Sequence, residues 1–172
     1  MKFQNDYAAH LQWADDLTEQ VLKNAPPSGP ATDRYRADLA GLLCTAYVAA
    51  LECSVKAVFT SFARSKHRLL SNMTGYHFRR INGQIGWDII AERYTAQFGE
   101  AYKKRFKEFL NEEEGKSLRD SKISIKETYG NLLQWRHAFA HEGDRLTTLE
   151  EVSKAFPTAK IVIFTLDKSM SS

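Results

Sequence analysis

The stretch from Asp33 to about Lys66 limits the fold more than any other part of this chain. It follows Pro26-Pro27-Ser28-Gly29-Pro30, which ends any preceding helix because proline lacks a backbone donor and glycine favours turns. Thr32 or Asp33 can cap what comes next. From there Leu39, Leu42, Leu43, Ala46, Ala50, Val55, Val58, Phe59 and Phe62 recur at helical spacing, predicting one long helix with these residues on its buried side. A helix of that length is expected to be the central element of the fold.

The flanking segments read mostly as helices too. Residues 5–25 carry Tyr7, Leu11, Ala14, Leu17 and Val21 at three- or four-residue spacing, with Asn5 or Asp6 as N-cap. Residues 67–84 are rich in turn-formers (Ser71, Asn72, Gly75, Asn82, Gly83) and are expected to form a loop with at most a short helix. From Trp87 to about Leu110 an aromatic series, Tyr94, Phe98, Tyr102, Phe106 and Phe109, follows helical spacing. Such a stripe can stack bases, but core packing is the commoner use. Glu112-Glu113-Glu114 and Gly115 mark a solvated connection. Ser124 and Glu127 form a capping box for a helix carrying Tyr129, Leu132, Leu133, Arg136 and Ala140 and ending near Gly143. Thr147 or Thr148 with Glu150 or Glu151 opens a short helix to Phe156, before Pro157. Residues 160–166 are apolar and β-branched enough for a strand, although no partner strand is evident. The expectation is an all-α bundle of four to five helices with a candidate short C-terminal strand, forming one domain over residues 1–172.

No uninterrupted apolar run approaches the roughly 18 residues of a membrane span, and MKFQNDYAAH lacks the apolar core of a signal peptide. A cytoplasmic protein without membrane partners is expected. Cys44 and Cys53 lie about 13 Å apart along one helix and on opposite faces, so they cannot bridge and are expected to be reduced core thiols. His10, His67 and His77 have no ligand partners at metal spacing, so neither a metal nor another cofactor is expected. The net charge of +3 permits a nucleic-acid partner. Between Arg64 and Arg80 lie five Lys or Arg, two His and no acid. There Arg68, Arg79 and Arg80 could hold an RNA backbone and Tyr76 stack a base, or the segment could be a solvated loop.

Asn131–Asp144 carries the chemistry: Arg136, His137 and His141 sit at a helix end before Gly143. RNA transesterification needs a base for the 2′-hydroxyl, a cation for the phosphorane and an acid for the 5′-oxygen. His141 suits base or acid, and a last-turn position favours its protonated form through the helix dipole. Arg136 suits the phosphate, since it never gives up its charge. The plainer reading pairs Arg136 with an acid such as Glu52 and has His141 cap helix carbonyls. Glu52, flanked by Leu51 and Cys53, either pairs with Lys56 at i+4 or orients Arg136.

Arg136 to His141 resembles the Arg-(Asn/Asp/His)-x3-His signature of the HEPN superfamily, small all-helical domains that include many ribonucleases. The resemblance implies a metal-independent endoribonuclease of a toxin–antitoxin or antiphage system, with Arg136 and His141 catalytic and His137 auxiliary. It also implies RNA as substrate, an antitoxin or defence partner protein, and a homodimer whose motifs face across a cleft. The alternative is a noncatalytic module binding RNA, nucleotide or a partner protein. Gly143 stands where toxins silenced by adenylylation carry a tyrosine, so that control is not expected here. On a straight α-helix Arg136 and His141 project about 140° apart, so either the helix end unwinds or a second copy completes the site. The resemblance favours the second copy, with Trp135 and Phe139 as dimer contacts or, alternatively, as core residues.

Overall fold

A computed structural model describes residues 3–81 and 83–171. Helix α1 (Gln4–Asn24) begins after Phe3, whose carbonyl accepts from the Asp6 N–H, so neither Asn5 nor Asp6 is the cap. After the proline break comes α2 (Asp33–Lys66), with Thr32 as N-cap. The others are α3 (Arg68–Phe78); α4 (Trp87–Ile89), extended by a π-turn (Ile90–Tyr94) and a 3-10 turn (Thr95–Phe98); α5 (Glu100–Asp120); α6 (Ile125–His137), extended by a π-turn (Ala138–Glu142); and α7 (Leu149–Ser171).

Helix α2 is the central element, packed by α1, α3, α6 and α7. It is long and apolar enough to cross a membrane by composition alone, yet 56% of its most apolar window is buried within the fold, as befits a core helix. Its buried residues, from Ala40 to Ala63, cover about half of the helical wheel. Leu42 and Cys53 fall on the opposite half and are exposed, contrary to the expected core positions. Cys44 is the buried thiol.

Two segments differ from the sequence expectation. Residues 68–78 are helical because Thr74 and Phe78 are buried, with the Phe78 ring 4.8 Å from Phe59, and because the His67 side chain caps the Leu69 N–H at 3.1 Å. Gly75 is accommodated inside this helix; Asn82 lies outside the described residues. Residues 160–166 belong to α7, so the candidate C-terminal strand is overturned and no strand occurs among the described residues. Val152, Phe156, Ala159, Ile163, Leu166 and Met170 recur every three or four residues and are all buried, a pattern a strand could not satisfy. Pro157 falls on the solvent side of α7, where its missing donor is tolerable. Thr148 and Glu151 form a complete capping box, the Glu151 N–H reaching Thr148 Oγ1 at 3.2 Å and the Thr148 N–H reaching Glu151 Oε2 at 2.8 Å.

The aromatic series is core. Phe98 stacks on Phe59 at 5.3 Å, Tyr102 meets Phe62 edge-on at 5.1 Å, and Phe106 is fully buried. It does not lie on one helix, because Gly99 breaks the chain at φ 123°. One hydrophobic cluster extends from Phe3 to Met170. Its ends are tied by the buried Asp167, which accepts from the Phe3 N–H (3.2 Å), the Tyr7 hydroxyl (3.0 Å) and the Ser171 hydroxyl (2.7 Å).

Candidate functional site

Helix α6 is aimed by its buried side. Tyr129 and Leu132 are fully buried, the Tyr129 hydroxyl donates to the Ile85 carbonyl at 2.9 Å, and the Cys44 thiol of α2 donates to the Leu132 carbonyl at 3.2 Å. The predicted Ser124 cap fixes its start through the Glu127 N–H to Ser124 Oγ bond of 3.1 Å. Burial pushes the Cys44 thiol up to about 12, with Arg136 partly opposing the shift, so the thiol acts as a donor and not as a nucleophile.

At its C-terminus α6 widens. The Gly143 N–H bonds back five residues to the Ala138 carbonyl, and Gly143 takes the left-handed conformation at φ 74° that glycine favours. Phe139, within this turn, lays its ring directly over Gly41 of α2, in space that a Cβ at Gly41 would fill. Phe139 is therefore engaged within its own chain, and Trp135 is half-buried against the core; the structure assigns neither to a dimer contact.

The wide turn brings residues five apart into register. Arg136 Nη1 lies 3.4 Å from His141 Nε2, and the His137 and His141 rings are 4.8 Å apart. The wide turn thus offsets the 140° separation of a straight helix within one chain. A guanidinium has donors and no acceptor, so any hydrogen bond across this gap is donated by Arg136. His137 also lies 3.8 Å from Glu142, a loose and exposed pairing.

Glu52 does not pair with Arg136 directly. Its carboxylate accepts from Lys56 Nζ at 2.6 Å and from the Gly83 N–H at 2.7 Å. Gly83 is left-handed at φ 71°, and a Cβ built on it would stand 4.0 Å from Arg136 Nη1. The segment 83–85 is further pinned by the Tyr94 hydroxyl on the Gln84 carbonyl (2.8 Å) and by Tyr129 on Ile85. Gly83 stands beside the arginine, and the Glu52 carboxylate holds Gly83 there through its N–H. Sequence reasoning marked Gly83 merely as a turn-former; its glycine identity was the available signal.

The basic residues are spread out. Arg68 and Arg79 stand about 16 Å apart along α3. Arg80 folds over Tyr76, its Cζ 4.7 Å from the ring centre, so neither faces a nucleotide unengaged. Arg79 lines a cleft of about 380 Å³ with Lys56, Thr60, Gly75 and Phe78. Lys56, on the wall of that cleft, bonds Glu52, which in turn accepts from the Gly83 N–H beside Arg136. Among the described residues no three His, Cys, Asp or Glu side chains gather as metal ligands.

The family model described as RiboL-PSP-HEPN matches residues 9–172. The chain belongs to that HEPN family. The match takes in all the helices from α2 onward, most of α1 and the whole of the Arg136–His141 segment. No match was found among curated proteins or among solved structures. This HEPN domain carries the Arg136–His141 segment on a π-turned helix end, exposed at His137 and His141, with Gly83 beside Arg136.

Proposed function

We propose that this HEPN domain is a metal-independent endoribonuclease of a bacterial toxin–antitoxin or antiphage system, acting in the cytoplasm. The observation that carries the reading is the 3.4 Å approach of Arg136 Nη1 to His141 Nε2 at an exposed helix end. His141 takes the proton of a ribose 2′-hydroxyl on its basic ring nitrogen, and the 2′-oxygen bonds to phosphorus. Arg136 compensates the charge on the phosphorane oxygens. The bond to the 5′-oxygen breaks, and that oxygen takes a proton from His137, leaving a 2′,3′-cyclic phosphate and a 5′-hydroxyl. Arg79, which lines a cleft with Lys56, is the RNA-backbone contact of the α3 segment in this reading, and Arg68, Arg80 and Tyr76 take no part in it. A homodimer belongs to the proposal as a way to deepen a shallow site. Leu42, next to the Gly41 that seats Phe139, and Leu146, next to the Arg145 that pairs with Asp38 at 2.6 Å, are 59% and 53% exposed and suit that contact.

Expression of the wild-type chain, compared with an Arg136→Ala/His141→Ala form, tests the reading. Growth arrest and RNA fragments ending in 2′,3′-cyclic phosphate are expected from the wild type alone. Activity abolished by EDTA and restored by magnesium would sink the mechanism. RNA binding without cleavage would assign the noncatalytic role that the superfamily also includes.

A further inference from the structure

Helix α3 presents a face that the rest of the described protein leaves open. Thr74 and Phe78 turn inward, whereas Leu69, Met73 and Tyr76 are 61%, 63% and 60% exposed. At 100° per residue these three fall within about 60° of one another, making a single apolar stripe. Beside it Leu70 edges a groove of about 400 Å³ shared with Phe62, Lys66, Phe98 and Tyr102. Single exposed apolar side chains are ordinary; a stripe continuous with a groove marks a contact surface.

The charge around the stripe is one-sided. The five Lys or Arg between Arg64 and Arg80 meet no acid in that segment, and without them the chain has 19 basic residues against 21 acids. The protein's net positive charge therefore resides in and around α3. We propose that this face docks an acidic amphipathic helical segment of another protein, its apolar side chains on Leu69, Met73 and Tyr76 and its carboxylates reaching Arg68 and Arg80. RNA fits less well, because Leu69 and Met73 offer no ring for stacking and Arg80 already covers the Tyr76 ring at 4.7 Å. A second copy using the same face would oppose like charges across a two-fold axis. A membrane would receive only three or four side chains from an 11-residue helix whose other side is held in the core. The docking stands whether or not the site cleaves RNA.

The test uses a synthetic helical peptide with leucines in one stripe and glutamates elsewhere, and a permuted peptide of equal composition with the stripe broken. Binding to the full chain is read by fluorescence anisotropy at low and moderate salt. The striped peptide is expected to bind at least tenfold more tightly than the permuted one. Leu69→Asp, Met73→Asp and Arg68→Glu/Arg80→Glu should each weaken it at least tenfold, while Trp13→Asp, at another exposed apolar position on α1, should not. Circular dichroism checks folding, and Met73→Ser replaces Met73→Asp if the introduced charge unfolds the helix. Equal binding of both peptides, or indifference to the Met73 substitutions, overturns the proposal. So does a Met73-dependent affinity for single-stranded RNA, for phosphatidylserine vesicles or for a second copy, with no peptide binding.

Discussion

His141 and Arg136 offer two properties that one side chain cannot combine, a ring nitrogen able to exchange a proton and a permanent positive charge. Because His141 is exposed and makes little core contact, His141→Ala is expected to lower RNA cleavage by about 10²- to 10⁴-fold while leaving the thermal midpoint unchanged. Cleavage rates and a melting curve measured on the same preparation check this, and a lost melting transition would make the residue structural. Arg136→Lys should also impair cleavage, since lysine keeps the charge but lacks the planar fork. The two cysteines offer a simpler check. Cys53 is exposed, whereas Cys44 is buried, bonded to Leu132 and pushed up to about 12. A thiol reagent at neutral pH should titrate one cysteine in the native protein and two after denaturation. Two native thiols would contradict the packing of α6 on α2. Both readings of the cysteines as thiols follow from spacing alone, but which one is buried required knowing where the buried arc of α2 lies.

Among the elements, the end of α6 decides the geometry of the site. Its π-turn is seated by Phe139 on Gly41, so Gly41→Ala must displace that ring. The expected cost is about 1–3 kcal/mol of stability, typical of overpacking, together with a loss of cleavage as Arg136 and His141 move apart. Urea denaturation and cleavage rates measure the two effects. A smaller side chain in Gly41→Ala/Phe139→Ala should remove the clash without restoring cleavage, because the turn then lacks its seat. Unchanged stability in Gly41→Ala would refute the seating. The motif and the helix carrying it were legible in the sequence, as were the Thr148–Glu151 capping box and the Ser124 cap, whereas the carboxylate at the start of α6 comes from Glu114 and not from Glu127. The π-turn was not, because it depends on a ring meeting a glycine of a distant helix. For the same reason α3 read as a loop: its turn-formers are local signals, whereas the burial of Phe78 against Phe59 and Tyr94 is not.

At the scale of the whole molecule, the core holds protons that the unfolded chain would release in alkali. Burial raises Cys44 from 9.0 to about 12 and Tyr47 from 10.0 to about 12. Above pH 9 the folded protein therefore binds more protons than the unfolded chain, and stability must fall as pH rises through that window. Below pH 9 their contribution is complete. The urea midpoint should be level between pH 7 and pH 8.5 and decline between pH 9 and pH 11; a constant midpoint there would show that these groups are not desolvated. The two ends of the chain meet at Asp167, a carboxylate whose role no local pattern announces. By itself the sequence determined the all-α class, the central place of α2, most helix starts and the identity of the Arg136–His141 motif, because periodicity, caps and residue chemistry are local properties of the chain. Only the tertiary structure decided that residues 160–166 continue a helix, that the Glu52 carboxylate accepts from the Gly83 N–H, and that Arg136 and His141 approach each other within one chain. Each of these depends on contacts between residues far apart in sequence, and the energy of such contacts overrides the preference of any short segment.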